Sequence, residues 1–149
     1  MIKISTSILS ANNRIECINK LNNTTVDYLH IDAMDNKFVP NYQFPIEEIN
    51  EINKYTNIPL DIHLMTENPE EYLERLNPKN VEFITIHLEI DKDIKNIIKK
   101  IKNKGFKAGL SIKPNTNIKY IYPYLELIDM VLIMSVEPGF GGQKFIPTQ

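Results

Sequence analysis

The sequence predicts a (β/α)₈ barrel, and three observations support that fold class. Strand-like and helix-like segments alternate along the whole chain, which is typical of parallel sheets covered by helices. Several strand-like segments are apolar on both faces, as in strands buried on both sides. The unusual polar residues follow the strands, where a barrel gathers its active site. A doubly wound sheet is the alternative, but it would carry a glycine-rich loop after its first strand, and this chain has none there.

Each element follows from local pattern. Strands are predicted from short apolar or alternating runs at residues 2–9, 26–34, 58–65, 81–88, 107–112 and 129–136. Helices are predicted from apolar residues three or four apart at residues 11–21, 45–55, 69–76, 93–104 and 117–124. Pro45 and Pro69 suit first helical turns, Asn68 suits the cap before Pro69, and Gly105 suits a helix end. With no linker or repeat, we expect one partial barrel domain over residues 1–149.

The second predicted strand ends with His30, Asp32 and Met34 at alternate positions. Side chains two apart on a strand point the same way, about 6–7 Å apart. The third predicted strand repeats this arrangement with Asp61, His63 and Met65. Imidazoles and a carboxylate on neighbouring strands suit a divalent metal, and a carboxylate beside that site can transfer a proton.

Composition excludes several classes of protein. The 149 residues are 42% hydrophobic and 24% charged, with a formal net charge of −2, so nothing indicates a nucleic-acid or membrane partner. The single cysteine, Cys17, cannot form an intramolecular disulfide, which fits a reducing compartment. No signal peptide or apolar stretch of about 20 residues is present. We therefore expect a cytoplasmic globular protein.

An ordered series of motifs spans nearly the whole chain. It includes Ser-Ile-Leu-Ser-Ala at 7–11, Leu-His-Ile-Asp-Ala-Met-Asp at 29–35, Asp-Ile-His-Leu-Met at 61–65 and Val-Glu-Pro-Gly-Phe-Gly-Gly-Gln-Lys-Phe at 136–145. Taken together, these motifs resemble the ribulose-phosphate 3-epimerase family. The resemblance implies a metal-dependent epimerase that interconverts D-ribulose 5-phosphate and D-xylulose 5-phosphate by 1,1-proton transfer through an enediolate.

The resemblance also implies roles for individual residues. His30, Asp32 and His63 would bind a divalent ion (Zn, Fe, Mn or Co), and Asp32 would be one of two proton-transfer carboxylates. The substrate-binding residues would be Ser7, Met34, His63, Met65, Met134, Gly139, Phe140, Gly141 and Gly142. The partner would be a small sugar phosphate, with neither nucleic acid nor membrane, and the full-length parent would be a homo-oligomer. We interpret His87 and Lys113, which also end strands, as structural or supporting residues.

Gln149 follows the sixth predicted strand closely. A full barrel takes about 200 residues or more, so the resemblance puts two further strands, the second carboxylate and the main phosphate loops beyond Gln149. That carboxylate would also be the fourth metal ligand. We therefore expect the 149-residue chain to be poorly soluble or to pair edge to edge, and to lack epimerase activity. Two alternatives stay open: a sister epimerase acting on a hexulose 6-phosphate, and a catalytically dead remnant that still binds metal.

Overall fold

Six parallel strands lie side by side in the computed structural model, which describes residues 1–147. Together with one short antiparallel strand, the sheet has seven strands within these residues: Ser5–Ser7 (β1), Tyr28–Asp35 (β2), Tyr42–Gln43 (β3), Leu60–Met65 (β4), Val81–His87 (β5), Lys107–Ile112 (β6) and Met130–Ile133 (β7). Their order is β1-β2-β4-β5-β6-β7, and β3 pairs antiparallel with β2. Strands that follow one another in sequence order form a barrel wall, whereas a doubly wound sheet reverses its order. The predicted fold class, a (β/α)₈ barrel ended after about six strands, is confirmed.

Helices connect the parallel strands. They are Arg14–Leu21 (α1), Ile46–Glu51 (α2), Pro69–Arg75 (α3) and Ile94–Asn103 (α4), with 3₁₀ helices at Ile52–Lys54 and Ile118–Tyr124. Helix α4 shows why they form. Asp93 caps its start by accepting a hydrogen bond from the Asn96 backbone N–H, and its isoleucines are buried on one side. Gly105 then adopts a φ of 85°, a left-handed conformation that ends the helix.

The two faces of the sheet have different chemistry. The face toward the helices carries aliphatic side chains such as Ile31, Ile62, Ile84 and Leu110, all fully buried in the main core. Burying each such side chain stabilises the fold by about 1.5–3 kcal/mol. The opposite face, called the inner face here, carries polar residues. Parallel register places His30 beside Asp61 and Asp32 beside His63, so strand pairing assembles the polar side chains of that face.

Several element boundaries differ from the predictions. The first strand is only Ser5–Ser7, and α1 begins at Arg14 rather than at residue 11. A turn closed by the Ala11 N–H and the Ile8 carbonyl separates them, and Asn13 caps α1 by accepting from the Glu16 N–H. Asn68 precedes α3 as predicted, but its side chain forms no capping hydrogen bond.

Two other segments were predicted only in general terms. The short helix predicted at 117–124 forms as a 3₁₀ helix that contains Pro123. The predicted loop at 35–44 contains the short strand β3 and begins with Asn36 in the left-handed region, at a φ of 59°. Within residues 1–147, no helix is both long enough and apolar enough to cross a membrane.

Candidate active site

Three of the predicted residues meet on the inner face of β2 and β4. Asp32 Oδ1 lies 3.2 Å from His30 Nε2 and 3.3 Å from His63 Nδ1. One ligand atom from each of these residues lies within 4.8 Å of the other two. All three side chains are largely shielded from solvent. The structure thus brings together the predicted ligands on one small patch of the sheet.

His30 lies between two carboxylates. Its Nδ1 is 2.8 Å from Asp61 Oδ2, which also accepts a hydrogen bond from the Ser5 hydroxyl. Burial lowers the pKa of His30, but the hydrogen bonds and charges of Asp32 and Asp61 outweigh burial and raise it to about 10. Two buried carboxylates therefore favour a positive charge at this point. The sequence predicted only that Asp61 shares a strand face with His63 and Met65. It did not predict the contact of Asp61 with His30.

Asp32 is held as a carboxylate. Burial raises its pKa, but the neighbouring imidazoles of His30 and His63 outweigh that effect and leave the pKa well below its ordinary value. The Ser7 hydroxyl donates a hydrogen bond to Asp32 Oδ2 over 2.8 Å. An ionised, oriented carboxylate can accept a proton or bind a cation.

A second line of contacts leads away from His63. His63 Nε2 lies 2.8 Å from His87 Nε2, and His87 Nδ1 lies 3.1 Å from Glu89 Oε2. Burial lowers the pKa of His87 to about 4. Burial raises the pKa of Glu89, but hydrogen bonds from His87, Thr116 and the Lys113 backbone outweigh it and lower the pKa to about 2. The imidazole is therefore neutral and Glu89 is ionised at neutral pH.

A pocket of about 310 Å³ opens at the C-terminal ends of the strands, above this cluster. Its walls include Asp32 and all the predicted substrate-binding residues except His63, namely Ser7, Met34, Met65, Met134, Gly139, Phe140, Gly141 and Gly142. Met34 and Met65 pack with Val39 in a small apolar cluster separate from the main core. His30 and His63 are not part of the pocket wall. Sequence reasoning did not identify Ser10 or Glu137, which also line it.

A glycine loop forms another part of the pocket wall. Gly139 and Gly142 have φ values of 116° and 71°, which side chains other than glycine rarely adopt. A Cβ atom at Gly141 would lie 2.6 Å from Ser10 Oγ, so the backbone approaches the first βα loop too closely for a larger residue. The Asn41 amide donates to the Gly139 carbonyl over 2.8 Å and ties this loop to the loop after β2.

The donor set suits a divalent cation. Two imidazoles and one carboxylate are ligands for zinc, iron, manganese and cobalt, and three protein ligands leave positions for substrate or water. Each imidazole also contacts a buried group through its other nitrogen, His30 with Asp61 and His63 with His87. Such contacts orient the ring of a metal-binding histidine. The cluster can therefore hold a metal ion, although its arrangement does not select which one.

Sequence comparison identifies the relatives of this chain. The profile of the ribulose-phosphate 3-epimerase family matches residues 3–149. The chain belongs to the ribulose-phosphate 3-epimerase family. Proteins named ribulose-phosphate 3-epimerase from Bacillus subtilis strain 168 and Methanocaldococcus jannaschii are 38% and 40% identical to it, over 98% and 99% of this chain. The cytoplasmic isoform from Oryza sativa subsp. japonica is 38% identical over 97% of the chain.

The match to these epimerases covers only part of their length. The chain spans 66%, 68% and 63% of the rice, Bacillus and Methanocaldococcus proteins. A solved structure, the N-terminal domain of a candidate aldolase from Bacteroides vulgatus, has a TM-score of 0.59 at 21% identity, covering 89% of this chain and 54% of that one. At that identity it supports the fold alone. The sequence-based assignment to the epimerase family is confirmed.

Proposed function

We propose that this chain contributes the metal site and one proton-transfer carboxylate of an enzyme that interconverts D-ribulose 5-phosphate and D-xylulose 5-phosphate. One observation carries the proposal. Asp32 both lines the 310 Å³ pocket and contacts His30 and His63, so the proton-transfer group, the cation site and the substrate space meet at one side chain. Membership of the epimerase family supports the choice of reaction.

The reaction requires charge stabilisation beside a ketone. Removing the proton from the carbon next to the carbonyl produces an enediolate, and a divalent cation supplies Lewis-acid stabilisation of that negative charge when it is bound. Asp32 is ionised and lies at the pocket wall, so it can take or return the proton on one face of the carbon. The hydrogen bond from Ser7 orients the Asp32 carboxylate. Inversion also needs a group on the other face of the planar intermediate.

The remaining pocket residues limit side reactions and hold the substrate. Met34, Met65 and Met134 form a polarizable wall that has no proton to donate to the carbanion. The glycine loop at 139–142 exposes backbone close to the pocket, and backbone N–H groups in such turns form concave sites for anions. We assign the substrate phosphate to this side of the pocket. We also propose a cytoplasmic enzyme with a small sugar phosphate as its partner and a homo-oligomeric parent.

The test follows the exchange of hydrogen with solvent. D-ribulose 5-phosphate is incubated in D₂O with the protein and Zn²⁺ or Mn²⁺, and NMR measures deuterium at carbon 3. Asp32→Asn should reduce the exchange rate by about 10²- to 10⁴-fold, which is typical of a general acid or base. Asp91→Asn is the matched control, because Asp91 is exposed and lies outside this pocket. Equal exchange by wild type and Asp32→Asn would reject the role of Asp32.

Two further measurements distinguish the sister epimerase and the metal-binding remnant from the proposed enzyme. Faster exchange with a hexulose 6-phosphate than with the pentulose would identify the sister activity instead. Zn²⁺ binding without any exchange would favour a metal-binding remnant, a candidate supported by the complete His30, Asp32 and His63 cluster within the described residues. Calorimetry with the metal alone measures that binding.

A further inference from the structure

We propose that Glu89 and His87 are positioning residues, which hold His63 with a proton on Nε2 and leave Nδ1 to bind the metal ion. The inference rests on the metal site of the proposed function. It assigns roles to two residues on β5 and on the loop after it, neither of which contacts the substrate pocket. Their effect passes through His63.

The contacts form an unbroken buried line. His63 and His87 are 1% and 0% exposed, and their ring centroids lie 4.9 Å apart with 29° between the ring planes. We call the two contacts farther from Asp32 the outer links. They are 2.8 Å between the His63 and His87 imidazoles and 3.1 Å from His87 to Glu89. The link from His63 Nδ1 to Asp32 is longer, at 3.3 Å. Because the rings are shielded from water, each nitrogen must find its partner inside the protein.

Glu89 sets the direction of the line. An ionised carboxylate only accepts hydrogen bonds, and Glu89 Oε1 already accepts from the Lys113 backbone N–H over 2.7 Å and from Thr116. His87 must therefore donate from Nδ1 to Glu89 Oε2, and with a single proton on the ring its Nε2 is left to accept. That nitrogen can then only accept, so His63 must donate from Nε2, and His63 Nδ1 is left as a lone pair facing Asp32.

Counting protons leads to the same arrangement. Three links join Asp32, His63, His87 and Glu89, and each needs one proton or cation. With one proton on each ring, the two imidazoles fill only two of these links. When Glu89 draws both protons to the outer links, the remaining place lies between His63 Nδ1 and Asp32, where a cation fits. The carboxylate at the far end thus selects which His63 nitrogen binds metal.

The experiment reads the ring nitrogens directly. The sequence has three histidines, so protein labelled with ¹⁵N-histidine gives six ring-nitrogen signals, and magic-angle-spinning NMR records them whether or not the chain associates. In metal-free wild type we expect His87 to carry its proton on Nδ1 and not on Nε2. With Zn²⁺ we expect His63 to be bound through Nδ1 and protonated on Nε2. A wild-type His87 protonated on Nε2 would overturn the proposal.

Substitutions test the effect on the metal site. A glutamine amide can donate as well as accept, so Glu89→Gln should let His87 take either neutral form and weaken Zn²⁺ binding by about 10- to 100-fold. Glu82→Gln is the matched control on β5, where Glu82 pairs with Lys107 near the surface, and it should bind Zn²⁺ like wild type. Equal Zn²⁺ affinity in Glu89→Gln and wild type would reject the positioning role.

Testing Glu89→Gln in a second variant, His87→Gln, distinguishes a positioning role of Glu89 from a role in folding. His87→Gln keeps a carbonyl that can accept from His63 Nε2 without help from Glu89. In that background Glu89→Gln should change Zn²⁺ affinity by less than about twofold, as expected for residues that act through one contact. A full loss in both backgrounds would show a structural role instead. If wild type fails to bind Zn²⁺, the proposed metal site is rejected, while the His87 signals still test the hydrogen-bond line.

Discussion

The Ser7 hydroxyl donates to Asp32 Oδ2 over 2.8 Å and accepts from the Leu9 backbone N–H over 3.2 Å. Because Leu9 is the donor in its contact with Ser7, the hydroxyl proton of Ser7 stays available for the Asp32 carboxylate. Register between β1 and β2 pairs Ser7 with His30, two residues before Asp32. A short first strand is therefore enough to orient the group that we propose transfers the proton.

Ser7→Ala should lower the free energy of unfolding by about 1–3 kcal/mol, because a buried carboxylate loses a hydrogen-bond donor. Urea denaturation followed by circular dichroism measures the change. Ser135→Ala is the comparison, because Ser135 lies in a bend after β7 and outside the ligand cluster. An unchanged free energy of unfolding in Ser7→Ala would show that a water molecule can replace the Ser7 hydroxyl as the donor to Asp32.

His63→Ala should abolish or weaken Zn²⁺ binding by at least about tenfold, because the site loses one of three ligands. Isothermal calorimetry with Zn²⁺ measures the affinity. Cys17→Ala controls for metal capture by the free thiol, which lies away from the cluster, and should bind like wild type. Equal affinity in His63→Ala and wild type would remove His63 from the ligand set.

Asp35→Asn should destabilise the protein at neutral pH but not in strong acid. Burial raises the pKa of Asp35, but backbone N–H groups of Glu67, Lys37 and Phe38 outweigh it and lower the pKa below the ordinary 3.8. A carboxyl group whose pKa is lowered on folding stabilises the protein at pH values above its ordinary pKa. That contribution is lost as the pH falls through the pKa of the folded state. Unfolding curves from pH 7 to about pH 2 should converge. A constant difference between variant and wild type would contradict this assignment.

Gly141→Ala should weaken binding of D-ribulose 5-phosphate by about tenfold, because the added methyl group meets Ser10 Oγ and overpacking costs about 1–3 kcal/mol. Ligand titration by calorimetry measures it. The double variant Ser10→Ala with Gly141→Ala removes the obstructing oxygen and should recover most of the affinity. If the double variant binds as weakly as Gly141→Ala, the close approach to Ser10 is not the cause.

Ile133→Lys should increase the monomer fraction of the 149-residue chain. In residues 1–147, β7 pairs only with β6, and Ile133 is 40% exposed in the apolar run at 131–134. Such edges associate, and a lysine on the edge opposes pairing. Size-exclusion chromatography with light scattering checks this, with Ile15→Lys on α1 as an exposed control. Association that is equal in both variants would show that the edge is not responsible.

Alternation along the strands was enough to predict the inner face. His30, Asp32, His63 and Met65 follow a period of two, and a parallel register with no shift between β2 and β4 carried that pattern into three dimensions. The hydrogen-bond partners were harder to predict. Whether His63 meets Asp32 through Nδ1 or Nε2 depends on ring orientation, which depends in turn on His87 one strand away.

Local propensity did not predict the helix type or every helix start. The short helix predicted at 117–124 forms as a 3₁₀ helix, and α1 begins at Arg14, after its Asn13 cap, rather than at residue 11. Strand β3 was missed because two residues carry almost no periodic signal. Its pairing of Gln43 with Met34 depends on β2 being in place.

The hydrogen bond from Asn41 to the Gly139 carbonyl joins residues 98 positions apart in the chain. Closing so long a loop costs more conformational entropy than the local pairings within each βα unit, and contacts of this kind form slowly. We therefore expect the pocket wall to be completed only after the intervening strands have paired. A chain released during synthesis, or opened at one end by local unfolding, would keep the histidines near Asp32 while losing the surface against which a phosphate could rest.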